Sequence, residues 1–451
     1  MQHKRALGLL GCAAVITAVV ATSSSGRAFA PFPAALPAKS APLLGLLYRG
    51  NGQSDWTNVL ARLNSRSLRP LHGPRIAVGQ AGAWSFSPDR SLLALTSHRQ
   101  RGDELPHATM RIVDVGGMRV AGRMSLGRGY VWTLAWLRPD RLLALRERCC
   151  PAKADVLVLD PGALKPVGGH TFANDVVAYG RLPDGLVLLL APSGAIGPAR
   201  IAVVDADGNV RLAELDGILA GRESPPQDSD TTSLLHESLP GLAVDPVGRH
   251  AYVVSAGGTV ADVALESLAV AYHSLSQPVS LLGRLRSFLE PQAEAKGEEG
   301  PARHAEWLGN GVLAVAGSDG HFYTDANGSG QFRSTASGLA LIDTRTWAAR
   351  TIAAGADSFT RAGDELLVTG VSSDSETRTY KGIGLAAYGP DGSQRFHAFG
   401  AKIVFVGRVW RGRAYVYLPG TNMPAVVDIG TGRLLGFMKR QLPELLLDDS
   451  Y

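Results

Sequence analysis

The feature that most restricts what this chain can fold into is a pair of β-hairpins that recurs seven times in succession. The first hairpin of each pair reads SFSPDRSLLALTS (85–97), AWLRPDRLLALRE (135–147), YGRLPDGLVLLLAP (179–192) and LAVDPVGRHAYVVSA (242–256). Looser copies are AEWLGNGVLAVAGS (305–318), FTRAGDELLVTGV (359–371) and FVGRVWRGRAYVYLP (405–419). Each joins two apolar strands through a tight turn bearing Pro, Asp, Gly or Arg. A second hairpin then follows, as in MRIVDVGGMRVAGRM (110–124), VLVLDPGALKPVG (156–168), IAVVDADGNVRLAEL (201–215) and LALIDTRTWAARTI (339–352). Its first strand usually ends on Asp, whose carboxylate caps turn N–H groups, while Gly supplies positive φ. The strands are nearly continuous apolar runs, so each sheet is covered on both faces.

Four short strands per repeat, at a period of ~40–50 residues, are the mark of an all-β fold, a β-propeller of radially arranged sheets. One fragment remains at each end of the repeats. PLLGLLYRG (42–50) with VLARLNSRSLRPLHG (59–73) reads as strands two to four of a blade, and LPELLLDD (442–449) as a first strand. Together they complete an eighth four-stranded blade and fasten the ring, which removes an exposed sheet edge. If the last strand is a tail, the count is seven. A single domain over 43–449 is expected, with insertions at 216–238 and 276–303.

The hairpin with a Pro-Asp-Gly type turn, followed by a Val-Val-Asp strand, resembles the repeats of WD40-like and YVTN-type propellers of secreted bacterial proteins. The resemblance covers essentially residues 43–449. It implies architecture and leaves activity open, since such propellers include scaffolds, sensors, lactonases and quinoproteins. Asp428-x-x-Thr431-Gly432 is similar to a quinoprotein docking turn, but Phe437 stands where a tryptophan is needed, so no quinone is expected.

At 451 residues and 45% hydrophobic content, the chain can bury a large core. Its net charge of +5 is scattered arginine with little lysine, not the dense basic stripe of a nucleic-acid binder. His3, Lys4 and Arg5 precede an apolar run, Ala6 to Ala21, too short to span a bilayer comfortably. Residues 1–30 therefore read as a secretory signal peptide, cleaved after Ala30 or within 23–28, followed by a Pro/Ala-rich tether over 31–42. Cys12 lies in a segment resembling a lipoprotein box, though the apolar stretch before it is about half the ~7–15 residues required. Cys149 and Cys150 are adjacent in the exported chain. They read either as a vicinal disulfide or as two reduced thiols at a strand end, and an oxidising compartment favours the disulfide.

In a propeller blade the strand 1–2 and 3–4 turns lie on one face, and the 2–3 loops and blade-to-blade links on the other. Every turn of the first kind is short. The long segments, 98–108, 146–155, 191–199, 318–337 and 371–382 with the links 216–238 and 276–303, are all of the second kind. Long loops in compact folds concentrate function, so the long-loop face is expected to work. Candidate ligand contacts on it are His98, Arg101, His107, Arg146, Arg148, His321, Tyr323, Arg378 and Tyr380. Asp325, Asn327 and Ser329 match the first half of an oxygen-rich calcium loop, making calcium the one metal cofactor suggested. Ala336 stands where the bidentate acid belongs, so a plain Asn-Gly turn is favoured.

Within 278–290, Val279, Leu282, Leu285, Phe288 and Leu289 recur at helical spacing between Pro278 and Pro291. That amphipathic helix packs on the rim, covers the central funnel, or touches a membrane surface. No serine elbow, zinc motif or phosphate loop is present, and no catalytic residue is nominated. The lactonase branch of the resemblance implies metal ligands at the funnel, where Asn174, Asp175, Glu237, His304, Glu306 and Asp357 are placed by strand position. Each also reads as a cap or turn residue. The resulting expectation is a monomeric exported propeller that binds a protein, glycan or small ligand on its long-loop face. Alternatives are a metal-dependent hydrolase and an envelope scaffold anchored through Cys12 or the helix.

Overall fold

The computed structural model describes residues 43–49, 57–99, 105–148, 153–223, 236–245, 247, 249–275, 300–324, 330–421, 423–438, 443 and 445–447. The signal segment, the tether, the cysteine pair, the 278–290 helix segment, Arg101 and the 325–329 loop lie outside them. Among the described residues every regular element is a β-strand. The strands fall into successive four-stranded antiparallel units, numbered here in chain order after the closing unit.

Unit one uses Ile76–Phe86 (its 80–86 part), Leu92–Arg99, His107–Asp114 and Arg119–Arg128. Unit two uses Tyr130–Arg138, Arg141–Arg148, Lys153–Asp160 and Lys165–Phe172. Unit three uses Asn174–Leu182, Gly185–Pro192, Ile196–Asp205 and Val210–Glu223. Unit four is Gly241–Val244, His250–Val254, Thr259–Ala264 and Ala269–Ser274. Unit five is Pro301–Gly309, Val312–Thr324, Leu339–Asp343 and Ala348–Ala353. Unit six is Ser358–Ala362, Glu365–Thr369, Leu385–Tyr388 and Gln394–Ala398, and unit seven is Phe405–Trp410, Arg413–Tyr417, Ala425–Asp428 and Leu434–Phe437.

The closing unit joins the two ends of the chain. Leu445–Leu447 pairs with Leu44–Arg49 in the register Leu44↔Leu447, and Thr57–Arg62 pairs on the other side. Its fourth strand differs from the expected one. Residues 63–73 form a turn in which the Asn64 carboxamide accepts N–H bonds from Arg66 and Ser67, and pairing resumes only at Ile76. Pro70 and Pro74 lack the donors a ladder needs, so the strand starts later and runs straight on into unit one.

An apolar cluster fills the junction between each pair of consecutive units. Leu134, Trp136 and Met110 fill one such gap, Leu188, Val156 and Phe172 the next. The last joins Tyr415 of unit seven to Leu63, Leu68 and Leu446 of the closing unit. Polar stitches cross the same gaps: Arg181 donates to Leu134 O at 2.6 Å, Arg361 to Trp307 O at 3.2 Å, and the Trp410 indole to Ser65 O at 2.7 Å. Radial sheets covered on both sides by their neighbours, with chain ends zipped into one sheet, make a β-propeller.

Candidate functional site

Because the strands of each unit alternate in direction, the 1–2 and 3–4 turns share one face and the 2–3 and 4–1 connections share the other. In units one to seven the 1–2 and 3–4 turns are short; in the closing unit the 3–4 connection, 63–75, is longer. The elaborations on the other face are themselves β-structure, where loops were expected. In unit three the third and fourth strands continue past a register shift at Pro198/Ala199, and His236–Ser238 then pairs with residues 221–223. In unit five Val312–Thr324 turns back as Gly330–Ala336, and in unit six Val371–Asp374 pairs with Thr379–Gly382. These two hairpins pair with each other through Arg333↔Asp374 and Ser334↔Ser373, reinforced by an Arg333–Asp374 ion pair at 2.8 Å. Such interlocking turns flexible loops into a fixed wall.

Inner strands begin on this face, so their first residues surround the mouth of the central channel. Between units one and two lies an aromatic group. Tyr130 stands 5.6 Å from the His98 ring and 6.2 Å from the Trp132 ring, centroid to centroid. The Trp132 indole donates to Glu147 Oε2 at 2.5 Å, and Glu147 is the register partner of Tyr130. Val131 N–H donates to His98 Nε2 at 2.9 Å, which puts the ring proton of a neutral His98 on Nδ1. Burial lowers the His98 pKa and keeps that ring neutral.

Arg146 and Arg148, expected to meet ligand, instead grip Asp155. The carboxylate receives Arg146 at 2.7 Å, Arg148 at 2.8 Å and the Thr171 hydroxyl at 2.8 Å. Burial would raise the Asp155 pKa, but those bonds outweigh it and hold the carboxyl below its ordinary value. Both arginines are thus tied to one carboxylate inside the unit.

Across the ring, the inner strands of units five and six bring together three of the funnel candidates. His304 stacks on Phe359 at 4.6 Å, and burial pushes its imidazole down to about 4. Glu306, two residues on, lies 3.8 Å from Arg361, and burial pushes its carboxyl up to about 7 against the pull of that guanidinium. Burial also raises Asp357, although its Oδ2 accepts Val371 N–H at 2.9 Å.

The other candidates are dispersed. Asn174 donates to Ala191 O in unit three, next to Asp175, and Glu237 sits out on the unit-three extension paired with Arg222 at 3.0 Å. His107 lies 3.4 Å from the Ser125 hydroxyl. His321 is exposed on the unit-five hairpin, and Arg378 and Tyr380 are exposed on the unit-six hairpin. The side chain of Tyr323, like Asp325, Asn327 and Ser329, lies outside what is described. Among the described residues no group of three or more His, Cys, Asp or Glu side chains is placed to hold a metal ion.

Sequence reasoning missed Tyr130, Trp132 and Glu147. Gly129-Tyr-Val-Trp132 reads as an ordinary alternating strand, and nothing in that pattern distinguishes an exposed mouth position from a core one. Tyr130 is 40% exposed, as are Tyr48 (45%), Phe405 (50%) and Tyr417 (37%), all at strand ends on the long-loop face. A large aromatic at the first position of an inner strand was the available signal.

No protein-family model matches the chain, and no curated protein matches it. Solved structures do resemble it. Dihydro-heme d1 dehydrogenase NirN in complex with DHE is 13% identical, covering 92% of this chain and 78% of that one at a TM-score of 0.45. The WD40 domain of Toxoplasma gondii coronin is 11% identical over 94% of this chain and 92% of its own, at 0.39. The Myceliophteria thermophila Cps50 (Swd1) β-propeller domain is 13% identical over 80% and 96%, at 0.35. The class itself, a β-propeller, follows from the chain's own strand pairing.

Proposed function

We propose that this chain is an exported, monomeric, eight-bladed propeller that recognises a ligand (a protein, a glycan or a small molecule) on its long-loop face. One observation carries the reading. Among the described residues the inserted strands all lie in 2–3 or 4–1 connections, and the unit-five and unit-six hairpins pair with each other, while the other face carries one long connection, 63–75. Drift in surface loops would lengthen both faces alike, whereas a binding face selects for structure on one. The exposed aromatic rings at strand ends of the same face support it, since aromatics dominate binding surfaces. Export rests on the signal-like residues 1–30.

The test replaces 319–335 and 372–381 with two-residue turns and compares capture from an envelope extract with that of the intact protein. Loss of the captured ligand at an unchanged melting temperature supports the reading. A variant that still captures it would show that the face is idle.

A further inference from the structure

We infer that the mouth between units one and two binds a neutral oligosaccharide, an assignment that rests on the recognition face proposed above. Sugar rings present apolar C–H faces and a rim of hydroxyls, so they call for exposed aromatic faces beside fixed hydrogen-bonding groups. Both are present. Tyr130 offers ring surface at the mouth, backed by Trp132 at 6.2 Å. Glu147 uses Oε2 to hold the Trp132 indole, which leaves Oε1 as an acceptor beside Tyr130.

The group is rigid before any ligand arrives. His98 is fixed by Val131 N–H and seated on the backbone of Gly82, where an added Cβ would fall 2.5 Å from the ring. Pre-set groups spare a ligand the entropy of ordering them.

Charge selects a neutral ligand over an anion. The two arginines flanking Glu147 on its strand are committed to Asp155, and His98 stays uncharged. Further exposed aromatics stand at strand ends of the same face, Tyr48 in the closing unit and the register partners Phe405 and Tyr417 in unit seven. Among the described residues, units seven, closing, one and two carry no inserted strands on this face.

The probe is an array of neutral and acidic oligosaccharides, read with the full exported chain, followed by calorimetric titration of the strongest neutral binder. Binding to neutral glycans is expected, weakened at least about tenfold by Tyr130→Ala and by Glu147→Gln. Tyr130→Phe should keep most of the affinity, and Phe437→Ala, on an outer strand, all of it. A blank array, binding to acidic glycans alone, or a Tyr130→Ala protein that binds as tightly as the parent would each overturn the assignment. If the array is blank while the hairpin-replaced variant loses a captured protein, the recognition face survives and only the saccharide site falls.

Discussion

A bulky side chain in left-handed backbone recurs at the end of the 3–4 turns, at Leu68 (φ 54°), Met118 (49°), Leu164 (53°), Leu268 (58°) and Trp347 (58°). Glycine would adopt that conformation without strain, as Gly432 does in unit seven. The side chains explain the exchange: Leu68 and Met118 are buried in the gaps between units, so burial outweighs a strain of about 1–2 kcal/mol. Leu68→Gly is therefore expected to lower stability by roughly 2 kcal/mol in urea titration. Arg378→Gly, at φ 50° on an exposed turn, should leave it unchanged or raise it by up to about 1 kcal/mol. Glu306 gives a second residue-level expectation. A carboxyl held at about 7 when folded, against 4.5 as its ordinary value, prefers to be protonated in the fold. Its contribution is complete below about pH 4.5 and is lost as pH rises toward 7, by up to about 3 kcal/mol. Glu306→Gln should remove that loss, so the variant gains on the parent most at pH 8 and least at pH 4; melting curves across this range check it. His304 has the opposite sign, its stability lost as pH falls from 6.5 toward about 4, so the Gln variant should also expose a steeper acid limb.

At the scale of elements, the strands of the repeated hairpins were legible because period and turn chemistry agree. The insertions were not. Residues 318–337 and 371–382 carry mixed polar and aromatic side chains without a buried face, and their pairing is fixed by a partner 41 residues away in sequence, as between Arg333 and Asp374. Local pattern cannot report such a partner. The Arg146–Asp155–Arg148 network was hidden for a related reason: its arginines read as surface cations until the neighbouring strand brings Asp155 against them. The interlock makes a prediction of its own. Replacing 372–381 with a short turn removes the Arg333–Asp374 pair and the bond from Phe332 N–H to Ser375 Oγ. Amide exchange in 330–336 should then accelerate by about tenfold or more while exchange in 339–343 stays as it was. Equal exchange in the two strands would mean that the hairpins stand independently.

For the whole molecule the decisive contact is between its ends. Leu446 and Leu447 are buried, and their strand supplies the edge partner of Leu44–Arg49. Deleting 443–451 should cost roughly 4 kcal/mol or more and leave an open edge, seen as a lower calorimetric transition and a concentration-dependent shift toward larger species in gel filtration. The amino-acid sequence alone determined the strands, most of the turns and the repeat, because each depends on neighbours within a few residues. The ring's closure was legible too, since an incomplete repeat at one end matched a spare strand at the other. Only the tertiary structure decided which polar groups are committed to the fold and which face solvent at the channel mouth. Arg146 looks available in the sequence and Tyr130 reads as one more strand position; the carboxylate of Asp155 occupies the first, and the start of an inner strand leaves the second open. That difference arises from contacts between segments distant along the chain, which alternation within a single strand does not encode.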